Sequence, residues 1–250
     1  RQVFYVLVGR HGYDKTERAY ARLLETLNRA RRARLIPMWM IRDDGGGSQH
    51  PGGWESPAEF WSAIESTAHS YTHTSTAGQP VAVEIWVEAA GMLPQVGAVA
   101  TGYGASVYSS GGFDSVTVKH AAAERMAGRA VPTVVLHLGD HDPSGNSIVD
   151  SAAEDVVAFA QELGAQVPPE FVRLGVTEDQ ARRYRLQSAP QKETDRRGEH
   201  MAHTYQAEAM TPNQLAAEVR ATLERYVDLD ALADARRRGD IERAEVLRRL

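Results

Sequence analysis

The 250-residue chain has no cysteine, and this absence removes several kinds of chemistry at once. Disulfide bridges, thiol nucleophiles and zinc–thiolate sites are all excluded. Long apolar runs are also missing, since no segment approaches the roughly 20 residues that a transmembrane helix needs. These absences are typical of a cytoplasmic protein, and the length allows one large domain or two small ones.

Negative charge predominates slightly, but the charges are unevenly distributed along the chain. The formal net charge is −5, which alone argues against a general nucleic-acid binder. Residues 1–42, however, hold ten Lys and Arg against three Asp and Glu, whereas the rest of the chain holds 18 against 30. A basic N-terminal segment therefore precedes an acidic body, and clustered arginines favour binding to phosphates.

One amphipathic helix dominates the basic segment. It is predicted to begin after a capping Asp14 or Thr16 and to end before Pro37. Its arginines either contact nucleic-acid phosphates or form an ordinary solvated helix face. The candidates for phosphate contact are Arg18, Arg22, Arg29, Arg31 and Arg32. The apolar run before this helix, residues 3–8, is too short for periodicity to separate helix from strand.

Two further elements are predicted within the first 75 residues. Residues 37–41 have the composition of a strand, and residues 43–53 form a glycine-containing loop. Ser56 and Pro57 then begin a helix that reaches about residue 71, with Ser56 as the N-cap. The polar residues 72–80 mark a boundary, so the sequence predicts a first domain over 1–75 and a second over 80–250.

The second domain alternates buried strands with helices. Strands are predicted at residues 81–87, 105–108, 131–138 and 171–174, and helices at 91–100, 115–127 and 147–163. Two more helices are predicted near 212–227 and 230–249. Such alternation indicates an α/β fold with a parallel sheet, and the uncharged run 131–138 is the best central strand.

Acidic residues follow two of these predicted strands directly. Glu88 comes after the first strand, and Asp140 and Asp142 come after the uncharged one. The carboxyl ends of parallel strands meet at one edge of a sheet, which is where such folds bind ligands. Three converging carboxylates repel one another unless a cation neutralises them, and hard oxygen ligands suit Mg²⁺ or Mn²⁺. The alternative is that the two aspartates only cap a loop or a helix N-terminus.

This ordered set of acids resembles the Toprim domain of topoisomerases, primases and related nucleases. The string from Gly139 to Gly145 is most similar to the topoisomerase VI A subunit and to its relative, the meiotic double-strand-break protein. Residues 110–114 stand where that family has a glycine-rich turn. The resemblance implies that Glu88, Asp140 and Asp142 bind a catalytic metal, although Ala89 replaces the lysine found in many members.

A second resemblance lies at the start of the chain. Residues 1–5 are similar to the Arg-Asp-aliphatic-aromatic-Tyr motif of the same A subunits, with Gln2 in place of the aspartate. In that family the last tyrosine, carried by a winged-helix module, attacks a DNA phosphate, and the matching residue is Tyr5. Residues 16–37 and 54–57 also resemble short phage and actinobacterial proteins of this group. The structural alternative is that Tyr5 is simply a core residue.

The resemblance implies an architecture and a set of partners. A winged-helix-like module would precede a Toprim domain, a parallel-sheet, Rossmann-like domain, with a helical C-terminal extension. The partners would be double-stranded DNA, a second copy of the chain and a separate ATPase subunit, because this chain contains no ATPase sequence. The cellular location implied is the nucleoid.

Two other functions stay open from the sequence. The same three acids, with Glu88 as a catalytic residue, could activate water in a hydrolytic nuclease that forms no covalent intermediate. The protein could also bind DNA while its acidic site is structural or vestigial.

Overall fold

The computed structural model describes residues 2–37, 40–41, 52–110, 115–188 and 203–250, and only the backbone of residues 144–148. Three helices precede the sheet: α1 (Gln2–His11), α2 (Glu17–Arg32) and α3 (Pro57–His69). The hydroxyl of Thr16 accepts the N–H of Ala19, and that of Ser56 accepts the N–H of Glu59. These caps explain why α2 and α3 begin where the sequence predicts.

Four parallel strands form the centre of the molecule: β1 (Ala82–Val87), β2 (Ser106–Ser109), β3 (Thr133–Leu138) and β4 (Glu170–Gly175). Their spatial order is β2-β1-β3-β4, so β1 and β3 are the central pair. Helices α4 (Leu93–Ala100), α5 (Val116–Ala127), α6 (Pro143–Glu162) and α7 (Glu178–Tyr184) are interleaved with the strands or follow them. The predicted α/β fold with a parallel sheet is confirmed, and the arrangement is that of a Rossmann-like fold.

The sheet separates two apolar layers. On one face, alternate residues of the central strands, such as Ile85 and Leu136, pack with α4 and with α8 (Pro212–Leu223). On the other face, Trp86 and Val135 pack against α5 and α6. All six residues of β1 and of β3 are buried, as expected for strands covered by helices on both faces.

The N-terminal helices contact the sheet domain at several places. Helix α3 packs on the last helix, α9 (Leu229–Arg248), and both Tyr71 and His73 hydrogen-bond to Glu242. Helix α1 packs on the short 3₁₀ turn Ala207–Ala209. The described part of the chain contains no helix that is long and apolar enough to cross a bilayer.

Several local predictions need correction or completion. The run at residues 3–8, which the sequence left open, is part of helix α1. Helix α6 begins at Pro143, four residues before the predicted start, and α7 was not predicted. Of the predicted strand 37–41, residues 38 and 39 lie outside the described residues, and the other three are not in a strand. Between residues 2 and 81 the described residues form helices, turns and loops only.

Candidate functional site

The sheet brings Glu88 and the loop that carries Asp140 and Asp142 to one edge, as predicted from the sequence. Strands β1 and β3 pair in register, with Val87 beside Leu138, so Glu88 lies next to the start of the following loop. The amide N–H of Asp140 donates to Oε2 of Glu88 over 3.0 Å. Asp142 is the last residue before α6, a position at which the helix dipole favours a negative charge.

Gly139 allows this close approach. A Cβ atom at this position would lie 2.5 Å from Oε2 of Glu88 and 2.5 Å from Cε1 of His137. Real Cβ atoms do not come this close to neighbouring heavy atoms, so any other residue would push the glutamate away from the loop. The glycine is therefore needed for steric reasons at the point where the two acidic strand ends meet.

A segment far along the chain completes this edge. Residues 203–210 pair with the Asp140 loop through an antiparallel bridge between His141 and Tyr205. The N–H of Ala207 donates to Oδ1 of Asp140 over 2.8 Å. The same turn carries Glu208, which is only 7 % exposed. Glu208 is not among the residues predicted from the sequence, because nothing near it in the sequence connects it with the strand ends.

Two of the acids at this edge have raised pKa values. Burial, together with the charges of Glu88, Glu208 and Asp142, raises the pKa of Asp140 to about 7, against the lowering effect of the Ala207 N–H. Burial also raises the pKa of Glu88, and the charges of Asp142 and Glu208 add to the rise. Each acid therefore opposes ionisation of its neighbours, which is the electrostatic condition that a bound cation relieves.

The donor types suit Mg²⁺ or Mn²⁺, because every acid at this edge offers hard oxygen ligands. Glu88 and Asp140 each use one carboxylate oxygen to accept a backbone N–H, and the other oxygen accepts no hydrogen bond from the described residues. Within the described ranges, however, no three His, Asp or Glu side chains are grouped closely enough to hold an ion. Binding by all three predicted ligands therefore requires at least one side chain to rotate.

Arg173, in β4, is a second residue at this edge that was not predicted from the sequence. Its guanidinium donates to the carbonyl oxygens of Gly139 and Asp140 over 2.9 and 2.5 Å, and to Nδ1 of His137 over 2.9 Å. One side of Arg173 also lines a cleft of about 460 Å³ between β4 and α6, together with Asp150 and Glu178. A single arginine among the apolar residues Phe171, Val172 and Leu174 was the available signal.

Tyr5 lies on α1 and is partly buried. Its ring makes an edge contact with Phe4, with centroids 5.6 Å apart, and the ammonium of Lys15 lies 5.5 Å from the ring centroid. Helix α1, which carries Tyr5, packs on the Ala207–Ala209 turn, and the same turn donates the Ala207 N–H to Asp140. Tyr5 and Asp140 are thus linked through this turn within a single chain. The side chain of Gln2, on the same helix, hydrogen-bonds to Gln95 at the start of α4.

The five candidate arginines lie on α2 or at its end. Arg18, Arg22, Arg29 and Arg32 are exposed, and Arg31 is partly buried. Leu23 and Ala19 form the opposite, buried side of the helix, against Phe4. An exposed basic face is therefore present, as expected for phosphate binding or for simple solvation. Residue 1 and four of the five positions of the predicted glycine-rich turn, 111–114, lie outside the described residues.

Comparisons with known proteins give no relative for this chain. No protein-family model, no curated protein and no solved structure matches it.

Proposed function

We propose that this protein is a metal-dependent DNA-cleaving enzyme of the Toprim type, similar to the topoisomerase VI A subunit, with a winged-helix-like N-terminal module. The observation that carries the proposal is the meeting of Glu88 and Asp140 at the carboxyl edge of a parallel sheet, with Asp142 and Glu208 nearby. Burial raises the pKa of Asp140, and the charges of Glu88, Glu208 and Asp142 add to the rise. Such perturbed carboxyl groups cluster at functional sites.

Each group has a defined role in the proposed reaction. Glu88, Asp140 and Asp142 would hold Mg²⁺ or Mn²⁺, which when bound would stabilise negative charge on the DNA phosphate. The Tyr5 oxygen attacks phosphorus, a phosphotyrosyl ester forms, and the P–O bond to the neighbouring deoxyribose breaks. The tyrosine proton leaves to a base, and the departing sugar oxygen takes up a proton from solvent.

Tyr5 needs help to act as a nucleophile, because a tyrosine hydroxyl has a reference pKa of about 10. Lys15 is a candidate for this help, since its ammonium lies beside the ring. Burial lowers the pKa of Lys15, so it gives up a proton more easily than an exposed lysine does. In the proposed enzyme, two chains act as a homodimer on double-stranded DNA.

The exposed arginines of α2 would bind the DNA backbone. Each phosphate contact that is removed should reduce the slope of log affinity against log salt concentration by about one. The residues to replace are the exposed Arg18, Arg22, Arg29 and Arg32, together with the partly buried Arg31. A slope that is unchanged in these variants would identify the arginines as a solvated helix face.

Supercoiled plasmid incubated with the protein and Mg²⁺, then denatured with and without protease, tests the proposal. We expect protein-linked DNA ends from the wild type and none from Tyr5→Phe or Asp140→Ala. Tyr20→Phe, in the same aromatic cluster, and Asp155→Asn, a carboxylate paired with Lys119, are the matched controls and should keep activity.

Other outcomes of the same assay identify the competing functions. Free DNA ends that persist in Tyr5→Phe but disappear in Asp140→Ala would indicate a hydrolytic Toprim nuclease. The partly buried packing of the Tyr5 ring favours this second candidate. Binding of DNA without cleavage in Mg²⁺ or Mn²⁺ would contradict both enzymatic proposals and leave a DNA-binding protein with a vestigial acidic site.

A further inference from the structure

Arg173 makes an unusual set of hydrogen bonds at the acidic edge. Three of its acceptors are backbone carbonyl oxygens, those of Gly139, Asp140 and Val176, at 2.9, 2.5 and 3.5 Å. The fourth is Nδ1 of His137, at 2.9 Å. The guanidinium therefore bridges the ends of β3 and β4 and the loop that carries Asp140.

These contacts fix the backbone of the acidic loop. The carbonyl of Gly139 accepts both the Val176 N–H, at 2.7 Å, and the guanidinium, while the Gly139 N–H donates to Gly175. With the carbonyls of Gly139 and Asp140 held by Arg173, the peptide between these two residues cannot rotate freely. The orientation of that peptide sets the Asp140 N–H toward Glu88, because a peptide group is planar.

Arg173 also determines which nitrogen of the neutral His137 ring carries the proton. A guanidinium can only donate, so Nδ1 of His137 must accept, and the neutral ring must carry its proton on Nε2. His137 is 2 % exposed, and its Nε2 has no hydrogen-bond partner among the residues that the structure describes. This atom lies 3.0 Å from the place where Gly139 would carry a Cβ, so His137 packs directly against the acidic loop.

We infer that Arg173 is a positioning residue that presents Asp140 to a divalent cation, and that it sets the cation affinity of the site without binding the cation itself. This inference rests on the proposed function. Its physical basis is that residues behind metal ligands fix the orientation of those ligands, and losing such a residue weakens binding on the order of 10- to 100-fold. A guanidinium on the backbone carbonyls is suited to this role because its donors form a rigid planar fork.

Calorimetric titration of the intact chain with Mn²⁺ tests the inference directly. We expect Arg173→Met to weaken Mn²⁺ binding by on the order of 10-fold or more, and Arg173→Lys to cause a smaller loss, because an ammonium cannot form the same fork. Arg125→Met is the matched control. It removes a partly buried guanidinium that binds Glu84, on the same sheet but away from the loop, and should leave Mn²⁺ affinity unchanged.

A second measurement depends on neither metal nor DNA. In ¹⁵N-labelled protein, His137 should give the spectrum of a single Nε2–H tautomer in the wild type. In Arg173→Met, a mixture of tautomers should appear, whereas Arg125→Met should match the wild type. This readout reports the contact itself, so it distinguishes a local loss of positioning from general unfolding of a variant.

The results separate failure of the inference from failure of the proposed function. Equal Mn²⁺ affinity in wild type and Arg173→Met, with both folded, would overturn the inference alone. No Mn²⁺ binding by the wild type would overturn the proposed metal site and the inference together. A His137 spectrum that is the same in wild type and Arg173→Met would show that the guanidinium does not control the ring, and would also overturn the inference.

Discussion

Glu84 and Glu88 belong to the same stretch of chain and differ completely in electrostatic environment. Glu84 lies in the middle of β1 with a fully buried side chain, yet burial is more than offset by its partners. Arg125 and Arg129 donate to its Oε1 over 2.8 and 2.6 Å, and the Trp86 indole donates to Oε2 over 3.0 Å. These partners lower the pKa of Glu84 despite the opposing effect of desolvation.

Glu88, which directly follows the strand four residues later, is less fully compensated. It accepts one backbone N–H, and its neighbours include Asp142 and Glu208. Desolvation raises its pKa, and the charge of Arg173 opposes this only in part. A buried glutamate with matched cations is therefore part of the architecture, whereas partly buried acids that lie near one another are candidates for binding a cation.

Glu84→Gln should cause the largest loss of stability. The substitution leaves Arg125 and Arg129 facing a neutral amide, and removing one partner of a buried ion pair costs about 3–5 kcal/mol. Glu88→Gln should cost little or be slightly stabilising without added metal, because it removes a repelling charge. Urea denaturation at pH 7.5 in EDTA measures the free energy of unfolding of both variants. Similar losses in the two variants would show that the glutamates do not differ in compensation.

Asp140→Asn should change how stability depends on pH. The pKa of Asp140 is about 7 in the folded protein, above the value near 3.9 of an unfolded aspartate. Between about pH 4 and 7 the unfolded chain has released this proton while the folded chain still holds it. The free energy of unfolding therefore falls by up to about 1.4 kcal/mol for each pH unit of increase. The asparagine variant should lack this loss.

Urea denaturation in EDTA across this pH range measures the difference in free energy of unfolding between the wild type and Asp140→Asn. The difference is needed because His137 acts in the opposite direction. Burial lowers the pKa of His137 to about 3, so its contribution to stability is lost as the pH falls below about 6.5. Parallel pH profiles for the two proteins would contradict the raised pKa of Asp140.

Gly139→Ala should have a smaller effect on stability but a clear effect on the site. The added methyl would meet Glu88 and His137, and overpacking of this kind costs about 1–3 kcal/mol. Gly97→Ala, in α4 where a Cβ meets nothing within 4 Å, should instead be stabilising by about 0.5–1 kcal/mol. Thermal unfolding and Mn²⁺ titration of both variants compare them. Unchanged Mn²⁺ binding in Gly139→Ala would show that the contact with Glu88 is dispensable.

Local signals explain why much of the fold could be predicted. Capping residues such as Thr16 and Ser56 accept the free N–H groups at helix starts. Each cap and its partner are only three residues apart, so the sequence alone shows where such a helix begins. Apolar runs rich in β-branched residues predicted β1 and β3, and parallel pairing then placed Glu88 beside the Asp140 loop. The short run at residues 3–8 could not be assigned, because both helix and strand fit a segment of that length.

By itself the sequence determined the strands, most helices and the three acids that follow β1 and β3. These depend on hydrophobic periodicity and on contacts within a few residues, which the order of amino acids specifies directly. The tertiary structure alone decided which groups surround those acids. Arg173 and Ala207 bind Asp140 from 33 and 67 residues away, and Glu208 comes with the same turn. Chain folding, rather than any local pattern, brings such groups together, so the charge balance of the site became visible only in three dimensions.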